Sequence, residues 1–386
     1  MAARLDIPAI FVNGGPMYPA SYRRKHYDGN IVTEAVGWKQ RGKIDEAEFA
    51  RIERLAEPCA GSCAMLGTAN TMGCLAEAMG MALPGSAVVP AVLAGRLRYA
   101  YQTGKAIVER VKKGITSRQI MTGEAMENAI TVLMGIGGST NGIMHLQAIH
   151  AEAGLGKLPL QTFDEFSRKV PQVASVYPAS PYDMVDFYEA GGVPAVMKAL
   201  RGWLHGDAMT VTGETVAENL GMEGRIGDEA EKYGATTPGK SEAAKEGGMD
   251  PEKSGTAKED EALSGKCAVQ GQKHCRAAAV CSPGGDGTVT FGDVIRTAEH
   301  PFSQEGGVAV LHGNIAPDGH VIKPAAVPGD MMHFAGTAVV YDSEQESIDV
   351  ILGGEVKPGS VVVLRYEGPK GGPGMPEMYR PMNCPG

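Results

Sequence analysis

Residues 7–16, Ile-Pro-Ala-Ile-Phe-Val-Asn-Gly-Gly-Pro, decide the fold class. An apolar run over 7–12 that ends at once in Asn13-Gly14-Gly15-Pro16 is the pattern of a buried parallel strand delivering its end into a functional loop. Helical patterns follow it. Asp45 with Glu48 three residues on forms a capping box ahead of an apolar face of Phe49, Ile52 and Leu55, and Pro58 interrupts that helix. A second helix is expected to begin near Cys63 and to run through Met72, Leu75 and Met79. Further helical patterns span 96–113 and 124–134. A strand followed by helices predicts an α/β fold, helix-rich over a first domain of residues 1–206.

From Gly307 the pattern changes. Residues 308–311 and 320–327 read as two strands around the turn Pro317-Asp318-Gly319. Ser343 and Glu346 cap a short helix bearing Ile348, Ile351 and Leu352, closed by Gly353, and Pro358-Gly359 turns into a strand over 361–366. Residues 207–386 are therefore expected to form a β-rich second domain, and 386 residues suit two cores. Residues 233–285, rich in Gly, Lys, Glu, Ala and Ser with almost no large apolar side chains, read as a mostly disordered insertion.

Composition removes several classes of function. Lys and Arg number 36 against 45 Asp and Glu, a net charge of −9, and the positive charges are scattered, which argues against nucleic acid as a partner. The longest apolar stretch, 78–95, is broken by Pro84, Ser86 and Pro90, so no membrane span is expected. Asp6 and Pro8 stand where an export signal needs an apolar run. A cytoplasmic protein is the expectation, or one of an organelle stroma or matrix if a transit peptide is missing from the sequence. Fifty-three glycines beside only 6% aromatic residues suit a site built from loops. Seven cysteines, an odd number without small-domain spacing, point to thiol or metal chemistry in a reducing compartment rather than to a disulfide framework.

Three segments carry that chemistry. In 57–72, Glu-Pro-Cys-Ala-Gly-Ser-Cys-Ala-Met-Leu-Gly-Thr-Ala-Asn-Thr-Met, Cys63 precedes a small-residue helix. A thiolate there would meet free N–H groups and the positive end of the helix dipole, as an iron–sulfur cluster or zinc requires. The competing reading makes Cys63 a small buried apolar residue; in the ligand reading Cys59 is a weaker second ligand, and Cys74 on the apolar helix face reads as core. Residues 135–142, Gly-Ile-Gly-Gly-Ser-Thr-Asn-Gly, follow a helix rather than a strand and put Thr140 where a dinucleotide fingerprint needs Gly. Such a turn instead presents Ser139, Thr140 and Asn141 to a carboxylate or to hydroxyl groups. His145 and His150 beyond it read as packed. In 366–378, glycines and prolines surround Lys370 and Glu377, a carboxylate able to reach Mg²⁺ or to stay solvated. Cys267, Cys275 and Cys281 with His274 could be read as a zinc set, but they lie in the low-complexity stretch.

Together these segments resemble the dihydroxy-acid and sugar-acid dehydratase family. The resemblance rests on GGPM at 14–17, GSCAMLGTANTM at 61–72, ALPGSAVVPA at 82–91, ENAI at 127–130 and GGSTNGIMHL at 137–146. It continues with DFYEAGGVPAVMKAL at 186–200, TVTGETVAENL at 210–220, GNIAPDGHVIKPAAV at 313–327 and RYEGPKGGPGMPEM at 365–378. It implies an α/β N-terminal domain, a β-barrel-like C-terminal domain similar to the swivelling domain of aconitase, and a homodimer. It implies dehydration of a small-molecule 2,3-dihydroxy acid to a 2-keto acid, as in branched-chain amino-acid biosynthesis, with an iron–sulfur cluster and Mg²⁺ as cofactors. By motif, Cys63 resembles a cluster ligand and Glu377 a magnesium ligand. An aldonate dehydratase and a non-catalytic paralogue serving as a binding protein are the alternatives. Two further cluster cysteines, one in a Cys-Asp-Lys motif, are expected of the family ahead of Ile7, and its base serine beyond the loop of Glu377. The sequence starts after the first point and stops at Gly386 before the second. The expectation is thus a fragment truncated at both ends, or a degenerate relative, inactive alone.

Overall fold

A computed structural model of the chain describes residues 1–22, 25–222, 291–368 and 381. The first elements are the short helix α1 (Ala2–Leu5), the hairpin β1 (Ala20–Tyr22) and β2 (Lys25–Tyr27), and helices α2 (Ile31–Gln40), α3 (Glu46–Leu55), α4 (Thr68–Ala78) and α5 (Ala94–Lys113). Then come α6 (Ser117–Ile120), α7 (Gly123–Ile136), α8 (Asn141–Glu152), α9 (Leu160–Lys169), α10 (Met184–Glu189), α11 (Gly192–Ala199) and α12 (Val216–Leu220). After α13 (Phe291–Val294) follow β3 (Ala309–Leu311), β4 (His320–Ile322), β5 (Thr337–Tyr341), α14 (Glu344–Leu352) and β6 (Ser360–Leu364).

The main core is centred on α7, whose residues 129–136 are all buried because Ala129, Ile130, Val132, Leu133, Met134 and Ile136 cover its whole circumference. It packs against α4, α8, α9 and α11. Small residues permit the close approach: a Cβ on Gly138 would stand 2.8 Å from the side chains of Leu133 and Thr71. Residues 294–310 join the same core through Val294, Ile295, Val308 and Val310, with antiparallel bridges Gln172 to Ser303 and Ala174 to Ile295. Arg110 of α5 donates from Nε to the Val211 carbonyl at 2.5 Å, which ties residues 210–211 to this body as well. A smaller core joins the β1–β2 hairpin to α2 and α3 through Tyr22, Ile31, Ala35, Ile52 and Ala56.

Several sequence readings hold. The Asp45 side chain accepts from the Glu48 N–H at 2.8 Å at the start of α3, and Ser343 accepts from the Glu346 N–H at 3.2 Å at the start of α14. β3 pairs antiparallel with β4, turning through Gly319 at φ +98°, and β5 pairs parallel with β6 across α14.

Others need correction. Residues 7–12 form no strand: Phe11 donates to the Met81 carbonyl at 2.7 Å, Ile7 accepts from the Ser117 N–H, and Ile7, Phe11 and Val12 stay exposed. An apolar run reports a demand for burial, whereas pairing needs a neighbouring strand edge, and among the described residues none lies beside it. Over residues 1–22 and 25–222 the expected helix-rich mix of helix and strand is present, as a helical body with one hairpin rather than around a strand at 7–12. Among the described residues the sheets are two-stranded and no closed barrel forms, so the barrel-like shape of the C-terminal half is not seen. The insertion at 233–285, including Cys267, His274, Cys275 and Cys281, lies outside the described residues, as do Lys370 and Glu377. No helix of the described residues is long and apolar enough to cross a membrane.

Candidate functional site

Two loops far apart in sequence are joined by their backbones. Pro16 and Ser62 form a parallel bridge, in which Ser62 N–H donates to Gly15 O at 2.9 Å and Met17 N–H donates to Ser62 O at 2.8 Å. The Tyr18 N–H donates to the Cys59 Sγ at 3.3 Å. Glycine is required on both sides of the contact. Gly61 lies at φ +142°, where a Cβ would collide with the backbone of Pro16 and Met17, and Gly15 lies at φ +83° against the Val89 carbonyl. Behind Gly15, the buried Arg96 donates from Nη1 to Asn13 Oδ1 at 3.0 Å and from Nη2 to Val89 O at 2.5 Å.

Beyond Ser62 the chain forms a turn whose backbone is tied down on all sides. Asn70 Nδ2 donates to the carbonyls of Cys63 and Met65 at 2.6 and 2.7 Å. The Met65 N–H donates to the buried Asp28 Oδ2 at 3.2 Å, Met184 N–H to Ala64 O at 2.8 Å, and Leu66 N–H to Tyr177 O at 2.9 Å. These bonds are incompatible with a helical i to i−4 ladder, so α4 begins at Thr68 with Gly67 as its N-cap. This corrects the expected start near Cys63. Cys63 lies five residues before the first helical residue and is exposed, which also overturns the reading as a buried apolar residue, while Cys59 is half-buried and Cys74 is core.

The turn carrying Ser139, Thr140 and Asn141 sits against the start of α4. Thr68 Oγ1 and Ser139 Oγ are 3.0 Å apart, Asn141 Nδ2 donates to Thr68 Oγ1 at 2.9 Å, and the Ser139 N–H donates to Thr71 Oγ1 at 2.9 Å. Gly137 supplies the left-handed C-cap of α7 that sends the chain into this turn. His150 is half-buried, its Nδ1 lying 2.9 Å from the Gly156 carbonyl in an exposed contact.

Sequence reasoning misses an ionisable group beside these loops. His26 Nδ1 lies 3.1 Å from Asp183 Oδ2, and Asp183 caps α10 by accepting from the N–H groups of Val185 and Asp186. The bond to Asp183 raises the His26 imidazole above its ordinary value. Burial, aided by the Asp183 charge, pushes the Asp186 carboxyl up to about 6. The available signal is the Asp183 to Asp186 spacing of a capping box; nothing local pairs it with a histidine 157 residues away.

The arrangement therefore brings together the Gly14-Gly15 loop, the Cys63 turn and the 139–141 turn. The donor chemistry of an exposed thiol on a pinned turn fits one soft ligand of an iron centre. Among the described residues no group of three His, Cys, Asp or Glu side chains stands together to hold a metal ion.

Residues 1–219 match the N-terminal, and residues 293–384 the C-terminal, family model of dihydroxy-acid/6-phosphogluconate dehydratases. A dihydroxy-acid dehydratase of Caldanaerobacter subterraneus subsp. tengcongensis is 42% identical over 385 residues, 99% of this chain and 58% of that protein. One of Moorella thermoacetica is 41% identical over 382 residues, and dihydroxy-acid dehydratase 1 of Methanosarcina acetivorans is 43% identical over 377. Each alignment covers 98% of this chain and 57% of the relative. The chain thus spans less than two thirds of the length of the curated relatives it matches.

Proposed function

This chain belongs to the dihydroxy-acid/6-phosphogluconate dehydratase family, and on that premise we propose that it carries part of a hydro-lyase site that converts a 2,3-dihydroxy carboxylic acid to a 2-keto acid. The observation that carries the reading is the docking of the Ser139–Asn141 turn onto the first residue of the helix that follows Cys63. A thiol and a hydroxyl-rich turn on adjoining backbone are what a polyhydroxy acid beside an iron centre needs. In this reading Cys63 is a thiolate ligand of an iron–sulfur cluster, and Glu377 is a ligand of Mg²⁺. When bound, the cluster supplies Lewis acidity for a departing hydroxyl and Mg²⁺ supplies charge on the carboxylate side.

The chain's own residues do the positioning. Ser139, Thr140 and Asn141 orient the substrate's hydroxyl and carboxylate oxygens, because the Thr68 bonds hold the Ser139 and Asn141 side chains at one side of the turn. The parallel bridge between Pro16 and Ser62 keeps the Gly14-Gly15 loop against the Cys63 turn. A barrel-like second domain, a homodimer, a cytoplasmic location and a place in branched-chain amino-acid synthesis complete the proposal.

The test uses the chain reconstituted without oxygen with iron, sulfide and Mg²⁺, alongside Cys63→Ser. Any iron that the native chain holds should be lost in the variant. A 2-keto acid product is then sought from a 2,3-dihydroxy-3-methyl acid and from an aldonate. Equal iron retention by Cys63→Ser would remove Cys63 from the site, and turnover of the aldonate alone would replace the substrate.

A further inference from the structure

Asn70 lies in the first turn of α4 and is 2% exposed, yet it does nothing for its own helix. A polar side chain at this third helical position can reach back to accept from the N-cap N–H. The carboxamide of Asn70 donates upstream instead. Both hydrogens of Nδ2 are spent on carbonyls upstream, those of Cys63 and Met65, and Oδ1 accepts the Ser62 hydroxyl at 2.7 Å. The two carbonyls set the orientation of the amide, because the reversed carboxamide would face them with its own oxygen.

We propose that Asn70 is the positioning residue of the Cys63 turn. Fixing the carbonyls of Cys63 and Met65, while Ser62 is held by Gly15 and Met17, fixes the backbone on both sides of Cys63. The direction in which the thiol leaves the chain follows from that backbone. Asp28, Asn30, Tyr177 and Met184 each hold one further group of the turn. Asn70 alone among them holds two of its carbonyls, and it is linked to the residue preceding the cysteine as well. Replacing Asn70 removes one donor from each of these carbonyls, while the Met65 carbonyl keeps the Gly67 N–H at 2.9 Å. The inference rests on the reading of Cys63 as a ligand for its purpose, but its geometry does not depend on that reading.

Hydrogen exchange measured by mass spectrometry on the native chain, Asn70→Ala, Asn70→Asp and Ser62→Ala tests it. The Ala and Asp variants should speed exchange of the amides at 62–66 by about tenfold or more, and Ser62→Ala by about threefold, while exchange in α7 changes far less. A purely structural role would accelerate the turn and α7 together as the whole body loosens. Should the Asn70 variants fail to fold, Ser62→Ala still decides, since unchanged exchange over 62–66 in that variant overturns the proposal. Iron retention is read in parallel. If the native chain retains no iron but the variants loosen the turn, the ligand reading fails and the positioning role stands. If iron is bound through Cys63 and exchange is unaltered in every variant, the ligand reading stands and the positioning role fails.

Discussion

Thr68 Oγ1 and Ser139 Oγ lie 3.0 Å apart across 71 residues of sequence, and Asn141 Nδ2 donates to the same Thr68 oxygen at 2.9 Å. One hydroxyl at the start of α4 thereby gathers two side chains of the 139–141 turn. Helix α4 is also where the Cys63 turn ends, so the two candidate ligand-binding segments share a single mechanical support.

Thr68→Val should remove both bonds while keeping the volume. Each half-buried hydrogen bond contributes about 0.5–1.5 kcal/mol. A urea titration should therefore show a loss of about 1–2 kcal/mol, and Ser139→Ala added to it should cost less than it does alone, because the two share one bond. Additive losses would mean that the hydroxyls are bonded independently.

Gly15→Ala tests the junction of the first two loops. The residue lies at φ +83°, and its new Cβ would collide with the Val89 carbonyl and stand 2.7 Å from Arg96 Nη2. Positive φ and a backbone clash together should cost about 2 kcal/mol or more, seen as a lowered thermal midpoint. Gly14→Ala, with nothing within 4 Å of the added carbon, is the internal control and should cost far less.

The pH dependence of stability has a defined sign around α10. Burial raises the Asp186 carboxyl from 3.8 to about 6, so the folded chain holds a proton that the unfolded chain has lost over that interval. Its contribution to stability is complete below pH 3.8 and declines as the pH rises toward about 6. The His26 imidazole, raised by Asp183, adds stability that is present below 6.5 and is lost as the pH climbs through its higher folded value. Asp183→Asn keeps a good N-cap residue and should lower the His26 titration midpoint followed by NMR. A midpoint that does not move would break the assigned pair.

Much of this arrangement is legible in the sequence, and the failures share a cause. The caps at Asp45 and Ser343 are readable because a capping bond spans three residues. Helices α5 and α7 are readable because apolar spacing records burial on one element. The expected strand at 7–12 and the expected helix start at Cys63 fail because each depends on which distant backbone meets the segment, Met81 and Ser117 in the first case, Tyr177 and Met184 in the second. The motif around Cys63 is conspicuous, but Asn70 inside it is not. A polar residue near the start of a small-residue helix gives no sign that its amide reaches backward rather than into its own helix.

The cysteines should separate by accessibility. Of the three cysteines among the described residues, Cys63 is exposed on a turn held through its neighbours' backbone, so iodoacetamide should modify it ahead of the other two. Cys59 is half-buried and its sulfur accepts the Tyr18 N–H, so it should react more slowly, and faster once Gly15→Ala disturbs the bridge beside it. Cys74 is fully buried in α4, and burial together with the Glu77 charge drives its thiol well above the ordinary range. Burial denies it access and disfavours its thiolate in the folded state, so it should react only through opening of the main core. Its labelling rate should then rise with urea in step with unfolding, while that of Cys63 stays nearly flat. Peptide-mapped alkylation across a urea series measures all three, and fast Cys74 labelling without denaturant would show that α4 opens independently of the core around it.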